Sequence, residues 1–448
     1  MTADPDLAGL PPPQPAARAV LTTAATSGFL AVLALATGVL AARLLGPAGR
    51  GHLAAAQAVG TLLGTIGGLS LAEAIIFFVG RRIRPPMVIL RTATLVATAS
   101  TVVLITAAFF SMPLLLAGQP GAIDAARVYA LIGVPLVLLG FPTTLMRALQ
   151  RYDLWNLLRL IGPVCWLLVL LAFTLAAAKE VALIIASFIL LQVLLSPLVW
   201  FLIPRSGRSD RGVDLALIKP MLRYGTPLFL ATLPQALNLR LDQLLIANVE
   251  TADQLGLYAV SVSWAGIGLP LLVAIGAVLF PKLAAMQPGS ARTALAESSR
   301  AGAAIALVIG VISAVSAPIM VPLLFGDSFS VPFILHVLLA AATSVLGLNV
   351  IIEEGLRGLG SPRSVLLAES TGLAVTVLLL VLLVPRLGII GAALASLVAY
   401  AMVNAILVWT LKRRVGVGAS ELLVPRLADL HNVQRRLRAV VPRRGRKG

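Results

Sequence analysis

Charged side chains are scarce in this sequence, and their scarcity excludes a soluble globular protein. Only 12% of the 448 residues are charged, whereas roughly a quarter are charged in a soluble domain. Aromatic residues make up 5%, and Cys165 is the single cysteine. One cysteine forms no disulfide within the chain, and three scattered histidines predict no metal site. Since 59% of the residues are hydrophobic, the chain needs lipid around it.

Long apolar runs predict an all-α polytopic membrane protein with about twelve transmembrane helices. A helix of about 20 apolar residues crosses the hydrocarbon core. The predicted spans lie near 19–45, 52–80, 88–117, 123–148, 153–177, 180–203, 221–248, 253–281, 297–325, 331–357, 363–384 and 387–411. With a cytoplasmic N-terminus, 29 of the 35 Lys and Arg residues fall on the cytoplasmic side. The other six are predicted on the outer side, and they are Arg43, Arg50, Arg127, Lys179, Arg240 and Arg386. Because cytoplasmic loops carry the basic excess, we predict that both termini are cytoplasmic.

The net charge of +17 is interpreted as contact with the membrane. In a soluble protein it would indicate nucleic-acid binding, but here the basic residues lie between apolar spans and meet anionic head groups. We therefore predict membrane lipids as partners and no nucleic acid.

The polar loop 205–219 divides the predicted spans into two lobes of six helices. The N-lobe covers residues 19–204 and the C-lobe residues 220–412. Residues 1–18 are predicted to form a disordered cytoplasmic lead, and residues 413–448 a basic cytoplasmic tail.

Two motifs recur in the two lobes. The stretch LLGPAGRGHLAAAQAV resembles IANVETADQLGLYAVSVS, with Gly51 opposite Gly256, and MRALQRYD resembles LRGLGSPR, with Arg147 opposite Arg357. Internal repeats are typical of transporters, whose substrate path lies near the membrane midplane between the repeats.

The stretches AARLLGPAGRGHLAAAQ, GLSLAEAIIFFVGRR and RLDQLLIANVETADQLGLYAV resemble the polysaccharide-exporter branch of the MOP superfamily. That branch contains the Wzx-type flippases for lipid-linked oligosaccharides, and MATE antiporters and lipid II flippases are more distant relatives. The resemblance covers roughly residues 19–412. It implies a V-shaped pair of lobes that alternates between inward- and outward-open states. The cargo it implies is an undecaprenyl-diphosphate-linked glycan whose head crosses a cationic cavity.

The resemblance also implies a role in cell-surface polysaccharide biosynthesis at a bacterial-type cytoplasmic (inner) membrane. Glycosyltransferases or a polymerase of the same pathway are the implied protein partners. No cofactor is expected, and the coupling ion, H⁺ or Na⁺, is left open. Two other functions stay open: a MATE-type ion-coupled antiporter of small molecules, and a membrane polymerase or ligase acting on glycolipids. Short outer loops argue against an enzyme, so the flippase is favoured.

Charged residues within spans are the candidate site residues, because each costs at least about 2.5–3.5 kcal/mol at bilayer depth. Arg240 and Asp242, in the seventh span, point to different sides of a helix and are not predicted to pair. Arg240 is a candidate for holding diphosphate in the cavity between the lobes. Alternatively, Arg240 snorkels outward, or both residues lock the helix to its neighbours. Arg43 is a further cavity candidate near a span end, where snorkelling is favoured, as it is for Arg159.

Acidic residues are candidates for ion coupling or gating. Glu73, in the second span, is either a coupling-ion site or a structural group. Glu353 and Glu354 lie four and three residues before Arg357 on one helix face, so a structural charge cluster is favoured there over a gate. Glu369, in the eleventh span, is a weaker coupling candidate.

Overall fold

The computed structural model describes residues 16–203, 212–284 and 286–423, and within these ranges it contains helices and no β-strand. The predicted all-α fold is confirmed. The helices, labelled α1 to α17 in chain order, are Ala16–Gly68, Leu71–Gly80, Pro86–Leu115, Pro120–Ala130, Gly133–Pro135, Phe141–Ala148, Tyr152–Leu158, Ile161–Leu175, Val181–Leu202, Ile218–Asn238, Leu241–Val249, Ala252–Ala265, Leu269–Ala284, Pro288–Phe325, Phe333–Gly358, Pro362–Val415 and Ala419–Leu423. Most of the predicted lead, residues 205–211 of the polar loop and residues 424–448 of the tail lie outside the described residues.

Nine segments of the described chain are long and apolar enough to cross a membrane. Two of them, Thr22–Gly80 with 59 residues and Pro362–Val415 with 54, exceed twice the roughly 20 residues that one crossing needs. Each contains a glycine with non-helical backbone angles, Gly46 at φ 69° and Gly388 at φ 58°. Both glycines lie at or next to a predicted loop. The count of twelve spans and the cytoplasmic termini stay predictions.

Large apolar side chains face outward along these helices. Phe110, Leu114 and Leu175 are 76%, 81% and 89% exposed. Soluble proteins rarely expose wide apolar patches, so these side chains agree with helices that are surrounded by lipid.

Among the predicted spans that the structure divides into shorter helices, the second and the seventh contain residues with non-helical backbone angles, and the continuous helices expected there were wrong. The second span breaks at Leu69 and Ser70, with φ of 45° and 50°, and the seventh breaks at Arg240, between α10 and α11. Hydropathy misses both breaks because the apolar pattern continues through them. At the first break Gly225 of α10 makes a close approach, since a Cβ there would collide with the carbonyl of Leu69. Irregular backbone at membrane depth is tolerated only within protein or beside water.

The chain folds into two compact units, which are Met1–Ser263 with Val321–Ser330, and Trp264–Met320 with Val331–Gly448. The core of the first unit joins α2, α3, α6, α7, α9 and α10. The core of the second unit joins α13 to α17. These units do not follow the predicted lobes, and the division into lobes stays a prediction.

Gly51 and Gly256, paired in the sequence repeat, make reciprocal contacts in the first unit. A Cβ on Gly51 would collide with the backbone oxygen of Ala252, and a Cβ on Gly256 with that of Pro47. Pro47 and Ala252 are 205 residues apart, as are the two glycines. The two stretches therefore contact each other reciprocally, as equivalent repeats would, and the second part of α1 lies too close to α12 for a side chain at either glycine.

The second motif pair forms the same turn twice. Between α6 and α7 the amide of Arg151 donates to the carbonyl of Met146 at 2.8 Å, and between α15 and α16 the amide of Ser361 donates to that of Leu356 at 2.8 Å. Donors and acceptors are each 210 residues apart. Each turn contains one residue with positive φ, at 57° and 74°, so the two turns share one backbone conformation.

Candidate functional site

Arg240 lies where the backbone leaves helical geometry between α10 and α11. Its amide donates to the carbonyl of Leu237 at 2.9 Å rather than to the carbonyl four residues back. Its φ and ψ are −135° and −18°. The side chain is half-buried, and among the described residues it forms no ion pair, including with Asp242. The break therefore presents a cation without a paired carboxylate.

A second arginine, Arg50, accompanies Arg240 in the first unit. Its Nε and Nη1 atoms are buried and have no hydrogen-bond acceptor within the part of the chain that the structure describes. The guanidinium interacts electrostatically with Arg240 and Tyr129. Tyr129 comes from α4, and its ring lies against α1, where a Cβ on Gly60 would collide with it. We call Arg50, Tyr129 and Arg240 the Arg50 cluster.

The Arg50 cluster is chemically suited to an anion. Two neighbouring cations repel each other, and a buried charge is costly unless it is paired and hydrogen-bonded. A phosphate group supplies several oxygen acceptors, and the planar guanidinium fork matches their geometry. A bound phosphate would thus offset the repulsion and satisfy the buried nitrogens of Arg50.

Sequence reasoning missed Arg50 and Tyr129. The prediction placed Arg50 among the basic residues of the outer side, although it lies beside Gly51 in the repeated motif. Its burial follows from packing between distant helices, which no linear pattern records. One signal was available, since the equivalent position of the second repeat is Leu255 and the arginine is therefore not part of the shared scaffold.

Asp242, in the first turn of α11, is 7% exposed and joins α11 to α12. Its Oδ2 accepts a hydrogen bond from the Tyr258 hydroxyl at 2.7 Å, and its Oδ1 accepts one from the Gln243 amide at 2.7 Å. It also interacts electrostatically with Arg240. These contacts favour the helix-locking alternative, and a substrate-binding role stays a prediction.

We expect Tyr258→Phe to lower the free energy of unfolding by about 1–2 kcal/mol, because it leaves a buried carboxylate oxygen without that donor. Thermal unfolding in detergent measures the effect. Tyr152→Phe is the matched control, since Tyr152 meets Trp155 through its ring at a centroid distance of 5.9 Å. Equal melting temperatures for Tyr258→Phe and the wild type would show that the bond does not stabilise the fold.

Arg43, the third predicted cavity residue, caps a helix end. Its Nε and Nη2 donate to the carbonyls of Leu324 and Leu323, at 2.6 and 2.7 Å, in the last turn of α14. Its repeat counterpart is Asn248, whose Nδ2 donates to the carbonyl of Leu115 at 2.7 Å at the end of α3. Such donors satisfy carbonyls that the helix leaves open. Arg43 also borders a pocket of about 470 Å³ in the first unit, and its substrate-binding role stays a prediction.

Glu73 lies in the first turn of α2, just after the break at Leu69 and Ser70. Its side chain is exposed and has no hydrogen bond or ion pair with any described residue. A carboxylate is favourable near a helix N-terminus. Its coupling role stays a prediction.

The predicted acidic residues of the second unit form one network between α15 and α16. Arg357 donates from Nη1 to Oε1 of Glu354 at 2.6 Å and from Nη2 to Oε2 of Glu353 at 3.4 Å, which confirms the predicted contacts. Glu353 and Glu369 are both buried, and their carboxyl groups interact electrostatically. This geometry fits the structural charge cluster, and a coupling or gating role stays a prediction.

The fold is shared with known transporters. The lipid II flippase MurJ, in an inward closed conformation, matches with a TM-score of 0.72 and 11% identity, over 88% of this chain and 87% of that chain. An inward-facing multidrug resistance MATE family transporter of the MOP superfamily matches with a TM-score of 0.66 and 14% identity, over 86% and 94%. The MATE multidrug transporter DinF-BH matches with a TM-score of 0.58 and 15% identity, over 90% and 97%. At such identities the likeness shows the fold alone.

The sequence itself matches one protein family. The profile described as polysaccharide biosynthesis protein covers residues 39–332 of the 448, which is more than half of the chain. No curated protein matches the sequence. The fold is shared with a transporter of the MOP superfamily, as the sequence resemblance implies, and this chain belongs to the polysaccharide biosynthesis protein family.

Proposed function

We propose that the chain is a flippase that moves an undecaprenyl-diphosphate-linked oligosaccharide across the cytoplasmic membrane for cell-surface polysaccharide biosynthesis. The Arg50 cluster carries the proposal, because buried guanidinium nitrogens that have no acceptor among the described residues fit a phosphate-bearing ligand. The family supports a glycan cargo. The fold, shared with a lipid II flippase, supports a lipid carrier.

A diphosphate suits the cluster better than a neutral glycan does. Arg50 lies in α1 and Arg240 at the break between α10 and α11, so the two arginines can approach different oxygens of the linked phosphates, while Tyr129 adds a hydroxyl donor. The sugar chain needs water and the prenyl tail needs lipid. A cationic site would therefore bind the diphosphate, which is the part of the head group that all lipid-linked glycans of this kind share.

An ion-coupled antiporter of the MATE kind is the second candidate. The buried carboxyls of Asp242 and Glu353 favour it, since acids in spans often mark proton or ion pathways. The Arg50 cluster argues against it, because two arginines would repel an organic cation.

Reconstitution in liposomes tests the proposal. A fluorescent undecaprenyl-diphosphate-linked glycan should lose protection from a membrane-impermeant quencher faster in proteoliposomes than in protein-free vesicles. Transfer no faster than in empty vesicles, together with efflux of a fluorescent organic cation, would replace the flippase with the antiporter.

A further inference from the structure

The two equivalent turns differ in charge. In the second unit Arg357 binds Glu353 and Glu354. In the first unit the corresponding positions, 210 residues earlier, hold Thr143 and Thr144. Those threonines donate to carbonyls of their own chain, those of Leu139 at 2.7 Å and Gly140 at 2.9 Å, so they bring no negative charge to the turn.

The same contrast recurs one helix later. Arg159 occupies the position equivalent to Glu369, and Arg147 that equivalent to Arg357. A position that holds an acid in one repeat therefore holds a cation in the other. Residues 143–159 contain three arginines and one acid, whereas the corresponding residues 353–369 contain two arginines and three acids.

Arg147 and Arg159 meet at one tryptophan. Their guanidinium carbons lie 5.6 and 4.5 Å from the ring centroid of Trp155, and the two cations interact electrostatically. Nη1 of Arg159 is buried and has no hydrogen-bond acceptor among the described residues. We call Arg147, Trp155 and Arg159 the Trp155 cluster.

The one carboxylate between positions 147 and 159 is already engaged. Asp153 accepts from Arg151, with Oδ1 at 3.3 Å from Nε and Oδ2 at 3.2 Å from Nη2. The Trp155 cluster therefore keeps a surplus of positive charge. A guanidinium stacked over a ring still presents N–H groups at its edge, so both arginines can hold an in-plane acceptor without leaving the tryptophan.

We propose that the Trp155 cluster is a second phosphate-binding site, which holds the phosphate of a lipid head at the end of the first unit that the predicted topology places in the cytoplasm. Stacking alone would leave Nη1 of Arg159 buried without an acceptor, and phosphate oxygens supply one. In flipping, this site would load the diphosphate head before it reaches the Arg50 cluster. The loading role rests on the proposed function, whereas the binding does not.

Equilibrium binding of radiolabelled farnesyl diphosphate to the purified full chain tests the site, in neutral detergent without anionic lipid. A background with both Arg50→Gln and Arg240→Gln removes the two cations of the Arg50 cluster. There, Arg159→Gln should weaken the remaining binding about tenfold, which is a loss of roughly 1.4 kcal/mol, and Arg147→Gln should do the same. Arg159→Lys should retain part of the affinity, because it keeps the charge and loses the planar fork.

Arg413→Gln is the matched control, since Arg413 lies over Trp409 at 4.1 Å and is exposed. Competition by inorganic pyrophosphate would show that the phosphate alone is recognised. Competition by phosphatidylglycerol would show that bulk anionic lipid occupies the site. Binding by Arg159→Gln and Arg147→Gln equal to that of Arg413→Gln, with unchanged melting temperatures, would overturn the site while leaving the liposome test of flipping untouched.

Discussion

Arg240→Gln should slow the leaflet transfer of a diphosphate-linked glycolipid by about tenfold to a hundredfold in proteoliposomes. A hydrogen bond to a charged group contributes roughly 1.5–3 kcal/mol, and each 1.4 kcal/mol is a factor of about ten. Arg50→Gln should have an effect of similar size, because the buried Nε and Nη1 of Arg50 have no acceptor among the described residues. Arg240→Lys should fall between the wild type and Arg240→Gln, since it keeps the charge without the fork.

Arg127→Gln is the matched control for both arginines. Arg127 is on the predicted outer side, stacks over Phe109 at 4.6 Å and lies 3.5 Å from the Asp124 carboxylate. The charge of Arg127 is thus already compensated. Arg127→Gln should therefore leave the transfer rate within about twofold of the wild-type rate, a change of under about 0.5 kcal/mol in activation free energy. If Arg240→Gln and Arg127→Gln transfer at the same rate with equal amounts of folded protein, the Arg50 cluster takes no part in transport.

Gly51→Ala and Gly256→Ala should each destabilise the fold by about 1–3 kcal/mol, the usual cost of overpacking. Each new Cβ would meet a backbone carbonyl, on Ala252 or on Pro47, and backbone yields less readily than the end of a side chain. Melting temperature in detergent and the yield of monodisperse protein measure the effect.

Gly38→Ala is the control for these glycines. It lies in the first part of α1, before the kink at Gly46, and a Cβ there would have no atom within 4 Å. Alanine in place of glycine inside a helix is favourable by roughly 0.5–1 kcal/mol, so this variant should melt at or above the wild-type temperature. Identical melting of Gly38→Ala and Gly51→Ala would show that the reciprocal contact does not hold α1 against α12.

Much of the fold could be predicted because hydropathy and helix-breaking glycine and proline residues are local features of the sequence. Gly46 and Pro47 interrupt an apolar run, and the helix changes direction there. The repeat was also readable, since glycine at positions 51 and 256 is required by close backbone contact. The contacts of Arg357 with two glutamates followed from helical spacing alone.

The rest depends on contacts between distant helices. The breaks at Ser70 and Arg240 occur within apolar sequence that a continuous helix would fit equally well. In the sequence Arg50 looks like a loop arginine, and only the structure shows that its guanidinium nitrogens are buried. Arg43 looks like a cavity residue, but its side chain donates to carbonyls at the end of α14. A charged residue in an apolar sequence is a candidate site residue, but the groups that it contacts in the structure determine its role.

The most direct test compares two glycolipids that differ only in the head linkage, in the same proteoliposomes. One joins the glycan to the prenyl chain through a diphosphate, and the other through an uncharged linker of similar length. Recognition of the head by Arg50 and Arg240 predicts that the wild-type protein transfers the diphosphate lipid at least about tenfold faster, in line with one lost charged hydrogen bond. Equal transfer of both lipids would contradict it.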